Sequence, residues 1–191
     1  MKTSSRPNFH VILVHYPVVS KNGDIIASAV TNLDLHDIAR AGRTYGIRSL
    51  YIVTPVRDQI ELVDKIVSHW VSGAGSTYNP KRKEALSIIR VSESFETALA
   101  DIAAEENGYP QTIVTSARKR ANSLQMNAVR GMIRDGGPYA LVLGTAWGLS
   151  EDFLNQADFL LEPICGSADY NHLSVRSAAA IMLDRLLGSK P

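Results

Sequence analysis

Apolar positions along this chain follow two alternating rhythms. Short, nearly continuous apolar runs occur at Phe9–His15 (FHVILVH), Ser49–Thr54 (SLYIVT), Ser87–Val91, Gln111–Thr115 (QTIVT), Tyr139–Gly144 (YALVLG) and Asp158–Glu162. Their β-branched content and their Gly, Pro and Ser borders predict strands. Between them, Asp34–Tyr45, Arg57–Val71, Ser94–Glu106, Ser123–Arg134 and Ser174–Leu187 place apolar residues at helical spacing. Ser94 fits an N-cap, with Thr97 standing where a capping-box Glu would complete the motif. Asn107-Gly108 and Gly136-Gly137-Pro138 are stop signals after helices. Strands that alternate with helices predict βαβ units, hence an α/β fold with a mostly parallel sheet and helices on both faces. No repeat or composition break divides residues 1–191, so one domain is expected. The least regular stretch, Ser72–Lys83 (SGAGSTYNPKRK), predicts an exposed loop.

Composition narrows the class. An apolar content of 45% with 20% charged residues fits a water-soluble globular chain, and a net charge of +1 leaves no global electrostatic footprint for nucleic acid. Any nucleic-acid contact therefore falls to local clusters. Lys81-Arg82-Lys83 and Arg118-Lys119-Arg120 are the candidates, with Arg40, Arg43 and Arg48 as a spaced set; a solvated surface is the alternative for each. A single cysteine, Cys165, excludes an intrachain disulfide and a cysteine-rich metal site. The histidines His10, His15, His36, His69 and His172 lack ligand spacing, so no metal is expected. No run approaches the roughly 18 apolar residues of a membrane span. The opening MKTSSRPNFH has no apolar signal core, and a cytoplasmic, membrane-free protein is expected.

Two segments carry the candidate chemistry. ALVLGTAWGLSEDFL at Ala140–Leu154 and LLEPICGSADYNHLSVRSAAAIMLDRLLG at Leu160–Gly188 each run from an apolar strand through Gly-containing sequence into a helix pattern. Side by side at the strand ends of an open α/β sheet, such loops surround one small ligand with glycines and free backbone amides. Taken alone, Gly144-Thr145-Ala146-Trp147-Gly148 is equally a tight turn with Trp147 as a lid. It is neither GxGxxG nor a P-loop, which argues against a nucleotide-binding oxidoreductase or an NTPase. No G-x-S-x-G elbow or Ser-His-Asp order supports a hydrolase. His36 and His172 are general-base candidates by position.

In order and in sequence these segments resemble the SPOUT class, the α/β-knot RNA methyltransferases that use S-adenosylmethionine. Leu161-Glu162-Pro163-Ile164 with Gly166 and Asn171-His172-Leu173-Ser174-Val175-Arg176-Ser177-Ala178 are similar to the third SPOUT motif. Asn32 through Arg40, running on to Gly46, resembles the first; Asp34 stands nearer the position of the family's Asn, and Ser174 where ribose methyltransferases usually carry Asn. The resemblance implies a C-terminal deep trefoil knot and a homodimer that pairs through Ser174–Leu187. It implies S-adenosylmethionine bound by Leu143, Gly144, Thr145, Trp147, Gly148, Leu161, Pro163, Ile164, Gly166, Asn171, His172, Leu173 and Ser174. Arg40 and Ser174 are then the catalytic candidates, and Arg40, Arg43, Lys81, Arg82 and Lys83 the RNA-binding ones. The implied activity is methyl transfer to tRNA or rRNA, on the ribose 2'-oxygen or on a base. The alternative is a non-catalytic S-adenosylmethionine- or RNA-binding module of the knot fold.

Overall fold

The computed structural model describes residues 6–168 and 170–189. Strands β1 (Phe9–Val14), β4 (Leu50–Val53), β5 (Ile89–Ser92), β6 (Gln111–Thr115), β7 (Tyr139–Gly144) and β8 (Phe159–Leu161) form one sheet, every neighbouring pair parallel, in the order β5-β4-β1-β7-β6-β8. A separate antiparallel hairpin joins β2 (Val18–Val19) to β3 (Ile25–Ile26). The helices are α1 (Asn32–Tyr45), α2 (Arg57–Val71), α3 (Ala74–Tyr78), α4 (Pro80–Leu86), α5 (Phe95–Glu106), α6 (Met126–Ile133), α7 (Glu151–Asn155) and α8 (Val175–Leu187).

The continuous apolar strands are explained by two cores, one on each face of the sheet. Phe9, Val11 and Leu13 of β1 face the layer that contains α1, α2, α4, α6 and α8; Ile12 and Val14 face α5 and α7. Strands buried on both sides have no polar face to alternate with. The expected α/β class, parallel sheet and two-sided helix layer are all present. Three local corrections follow from packing. Ser72–Lys83 is not a loop: it forms α3 and most of α4. Gly75 lies so close to the Trp70 ring that a Cβ would stand 2.6 Å from Cε3, and Asn79 caps α4 by accepting from the Arg82 N–H at 3.0 Å. The strand expected at Ser87–Val91 begins at Ile89, because Ser87 ends α4. The β2–β3 hairpin is too short to give a period.

Helix α1 starts where it does because Thr31 caps it. The Thr31 hydroxyl oxygen accepts from the Asp34 N–H at 3.2 Å, and its proton goes to the Asp34 carboxylate at 2.6 Å. Gly46 then ends the helix with φ 79°, a left-handed position suited to glycine. Ser174 caps α8 in the same way, accepting from the Ser177 N–H at 3.3 Å. Helix α8 packs against α1 and α6. Ala179, Met182, Leu183 and Leu186 face the core, so the apolar residues of this helix are largely consumed within the chain.

Candidate cofactor cleft

The carboxyl ends of β6 and β7 open into a cleft of about 1040 Å³. β1 runs between β4 and β7; the chain goes outward through β4 to β5, then crosses over to β6, returns inward to β7 and ends at β8. The direction of winding therefore changes at the β1–β7 border, and a crevice at such a switch point is where open α/β sheets take ligands. The β7–α7 turn forms one wall, residues Asn171–Ala178 a second, the Thr115–Arg118 turn a third, and the hairpin with Ser28–Asp34 closes the rest. The volume lies at the upper end of small-molecule sites, roughly 300–1,000 Å³.

The β7–α7 turn is tightly built. A Cβ on Gly144 would stand 2.8 Å from Leu149 Cγ and 2.9 Å from the Leu149 nitrogen, so glycine is required for the chain to fold back on itself. Three of the turn's N–H groups are already committed: Thr145 to the Val14 carbonyl at 3.2 Å, Trp147 to Val19 at 3.2 Å, and Gly148 to Thr145 at 2.9 Å. The expectation of a ring of free amides is thus met only in part. Ala146, Leu149 and Ser150 show no N–H partner among the described residues.

A buried polar relay lies at the foot of the cleft. Thr145 Oγ1 donates to the Val14 carbonyl at 2.9 Å, Ser28 Oγ lies 2.5 Å from Thr145 Oγ1, and His15 Nδ1 lies 3.0 Å from Ser28 Oγ. With the Thr145 proton on Val14, the Ser28 proton goes to Thr145 and the proton of His15 sits on Nδ1. Burial pushes His15 down to about 4; Asp34 and the nearby Ser28 and Ala29 carbonyls offset only part of that. The ring is therefore neutral at pH 7 and acts as a fixed donor that orients Ser28.

Charged groups ring the opening. Arg176 Nη1 lies 3.3 Å from Asp34 Oδ1, and its Nε lies 3.6 Å from Asp37 Oδ2. Arg120 makes a two-pronged pair with Glu151 at 2.7 and 2.5 Å, which draws the Glu151 carboxyl below its usual range. Arg118 is exposed and lines the same opening.

The structure divides the expected site residues. Leu143, Gly144, Thr145, Trp147, Gly148, Ile164, Asn171, His172, Leu173 and Ser174 all line the cleft. Leu161, Pro163 and Gly166 do not: Leu161 is buried at the end of β8, and Gly166 is exposed in the following segment. Arg40 is also outside it, exposed on α1 about 9 Å along the axis from Asp34. Arg43 pairs with Glu84, Lys81 lies 3.4 Å from that carboxylate, and the Arg82 guanidinium stacks 4.5 Å above the Trp70 ring centre. Sequence reasoning did not single out Ser28, Thr115, Ser116, Glu151 or Arg176 as site residues. Arg176 lay inside a recognised motif, but only the fold brings it to Asp34, 142 positions away. Among the described residues there is no group of three or more candidate metal ligands, and no helix long and apolar enough to cross a membrane.

A parallel sheet with a mixed apolar and polar crevice at its strand ends defines a ligand-binding α/β protein, and comparison with known proteins specifies which. The model of the SAM-dependent RNA methyltransferase family matches residues 8–188, and the chain belongs to that family. S-adenosylmethionine is accordingly its cofactor. Two tRNA (guanine-N(1)-)-methyltransferases, from Oleidesulfovibrio alaskensis and Nitratidesulfovibrio vulgaris, are 45% and 44% identical over 95% of this chain. The chain spans only 42% of the length of either. An uncharacterized protein of Aquifex aeolicus is 38% identical over 94% of this chain and 88% of its own. Among solved structures, a probable methyltransferase from Bordetella pertussis superposes with a TM-score of 0.64 at 16% identity, over 94% of this chain and 92% of that one. The SpoU methyltransferase AviRb from Streptomyces viridochromogenes, solved with AdoMet, gives 0.57 at 17% identity, over 95% of this chain and 58% of that one. These two likenesses establish the shared fold.

The cleft fits the cofactor. Leu143, Leu149, Leu154 and Ile164 offer apolar contact to an adenosyl group, while Thr115, Ser116 and Asn171 offer hydrogen bonds to its polar edges. The charges of the lining are mixed: Asp34 and Glu151 are ion-paired with Arg176 and Arg120, and Asp152, Lys21 and Arg118 complete the set.

Proposed function

We propose that this chain transfers a methyl group from S-adenosylmethionine to a nucleotide of tRNA, with rRNA as the other candidate substrate. The observation that carries this reading is the cleft itself: one cavity large enough for the cofactor and part of a nucleotide, opening beside Arg118. Bound cofactor supplies an electrophilic methyl; the protein's task is to hold donor and acceptor in line, which makes catalysis chiefly a matter of positioning. Gly144 and its closed turn fix one wall. Ser174 and Asn171, tied through the Asn171 side-chain N–H to the Ala117 carbonyl at 3.0 Å, fix the opposite one. Ser28, oriented by neutral His15, offers a hydroxyl oxygen to the ligand.

The two named relatives suggest guanine N1 as acceptor and tRNA as substrate. Because this chain spans about two fifths of those proteins, the acceptor atom, base or ribose, stays a separate proposal. The deep knot is proposed on contacts made by residues 160–171. Leu124 donates to the Leu160 carbonyl at 2.7 Å, the Glu162 N–H returns to Leu124 at 2.9 Å, and Asn171 reaches Ala117. The segment is thus held at both ends of the β6–α6 connection, as threading through it requires. We also propose a cytoplasmic homodimer in which α1 and the start of α8 meet a second copy. Leu33 and Leu173 are exposed there, and Arg40, remote from its own cleft, would serve its partner's. Arg43 with Lys81, Arg82 and Lys83 would support the body of the RNA. Sedimentation at micromolar concentration distinguishes dimer from monomer. Nucleoside mapping of RNA from cells without this gene tests the function: loss of one methylated nucleoside in tRNA or rRNA is expected, and an unchanged profile contradicts it.

A further inference from the structure

The β7–α7 turn spends its backbone on holding an aromatic ring in solvent. Trp147 is 56% exposed although it lines the cleft. Its position is not a consequence of slack. Val19 donates to the Gly148 carbonyl at 2.9 Å and accepts from the Trp147 N–H at 3.2 Å, so the hairpin clamps the turn on both sides of the indole. Ala146 adopts φ 51°, a conformation that residues with a Cβ seldom take, and Gly148 takes φ 101°. The backbone is therefore bent and pinned so that the ring stands out of the core.

Other aromatic groups gather beside it. His172 meets Trp147 edge-on with ring centres 6.3 Å apart, and Tyr170 lies 6.2 Å from His172. The isolated exposed tyrosines Tyr78 and Tyr109 have no such setting and need no explanation. At Trp147 an exposed ring stands on a ligand cleft that Arg118, also exposed, lines as well, with exposed Lys119 following it in the chain. Open aromatic faces beside cationic side chains are how proteins hold unpaired nucleotides: the ring stacks on the base while the cations meet the phosphates.

We propose that Trp147, with the edge of His172 beside it, is the stacking surface for an unpaired nucleobase of the RNA substrate. This rests on the methyltransferase reading above and adds to it the form in which the substrate is taken: a base that is already single-stranded or is turned out of its stack. Stacking demands a ring and no particular hydrogen-bonding edge, so this contact holds the base without selecting among the four.

The experiment uses the full chain carrying Trp70→Phe, which leaves Trp147 as the only tryptophan. Its fluorescence is titrated with a short unstructured RNA, with the same RNA made abasic, and with S-adenosylhomocysteine. Saturable quenching by the intact RNA but not by its abasic counterpart is expected. In the otherwise unaltered chain, Trp147→Ala should weaken that RNA by roughly 5- to 150-fold while Trp147→Phe retains most of the affinity. Calorimetric affinity for S-adenosylhomocysteine is measured in both variants, and a Trp147→Ala loss seen for the cofactor but not for RNA would overturn the proposal. Quenching by S-adenosylhomocysteine alone would overturn the proposal, because the ring would then serve the cofactor's adenine. RNA affinity unaffected by Trp147→Ala would also overturn it and leave the functional reading intact. If the unaltered chain binds neither RNA nor cofactor by calorimetry, both fall together.

Discussion

Acid should unfold this protein through two buried histidines, and the size of the effect can be worked out. His10 and His15 are fully buried, and burial holds each down to about 4. For His10 the nearby Glu106 carboxylate, 3.6 Å from Nε2, opposes the shift, but Glu106 is already ion-paired with Arg48, and Arg48 itself lowers the histidine further. In the unfolded chain both residues titrate near 6.5. Between these values the unfolded state binds more protons than the folded one, so stability rises with pH. The contribution is complete above about pH 6.5 and is lost as pH falls toward 4. At pH 5 each histidine has lost about 2 kcal/mol, or about 4 together, against a typical total of 5–15. The assay is urea denaturation at half-unit steps from pH 8 to pH 5, a window above the ordinary carboxylate range. The unaltered protein should lose about 4 kcal/mol across it, and His15→Asn, at whatever absolute stability it starts from, about half as much. An unfolding free energy flat between pH 6.5 and 5, or a pH slope unchanged in His15→Asn, would refute the assignment of neutral buried rings.

Further expectations concern the cleft. Gly144→Ala forces a Cβ against Leu149 backbone and side chain, and overpacking of this kind costs about 1–3 kcal/mol; calorimetry should show S-adenosylmethionine affinity reduced about tenfold or more, and unchanged affinity would mean that the turn does not shape the site. Replacing Arg118 and Lys119 with alanine should weaken RNA binding, lower the salt slope of log K by about 1.4, and leave cofactor affinity alone; a slope equal to that of the unaltered chain would remove both from the RNA contact. Arg120 is best left in place for that test, since its loss strands Glu151.

Much of this architecture was legible because the strands announce themselves. Phe9–Val14, apolar but for His10, and Tyr139–Gly144 are buried on both faces, so their boundaries follow from the sequence almost to the residue. Ser94 and Ser174 cap helices as their spacing suggests. Elements without a periodic signal were not legible. Helix α3 (AGSTY) owes its place to Gly75 against Trp70, and the β2–β3 hairpin has two residues per strand. Both exist through tertiary contacts that no local pattern records. The two candidate loops could be found by their glycines and by resemblance. Which of their amides were spent on the turn could not, because the acceptors Val14 and Val19 lie more than a hundred positions away. The same distance hid Arg176 against Asp34 and Ser28 against Thr145.

The central claim is tested most directly by methyl transfer itself. Purified protein is incubated with labelled S-adenosylmethionine and total RNA from cells lacking the gene, so that the target nucleotide is unmodified. The account predicts label in tRNA or rRNA, falling with added salt as phosphate contacts are screened and falling sharply in Gly144→Ala. No incorporation despite confirmed cofactor and RNA binding would contradict it and leave the chain as a binding module of the same fold.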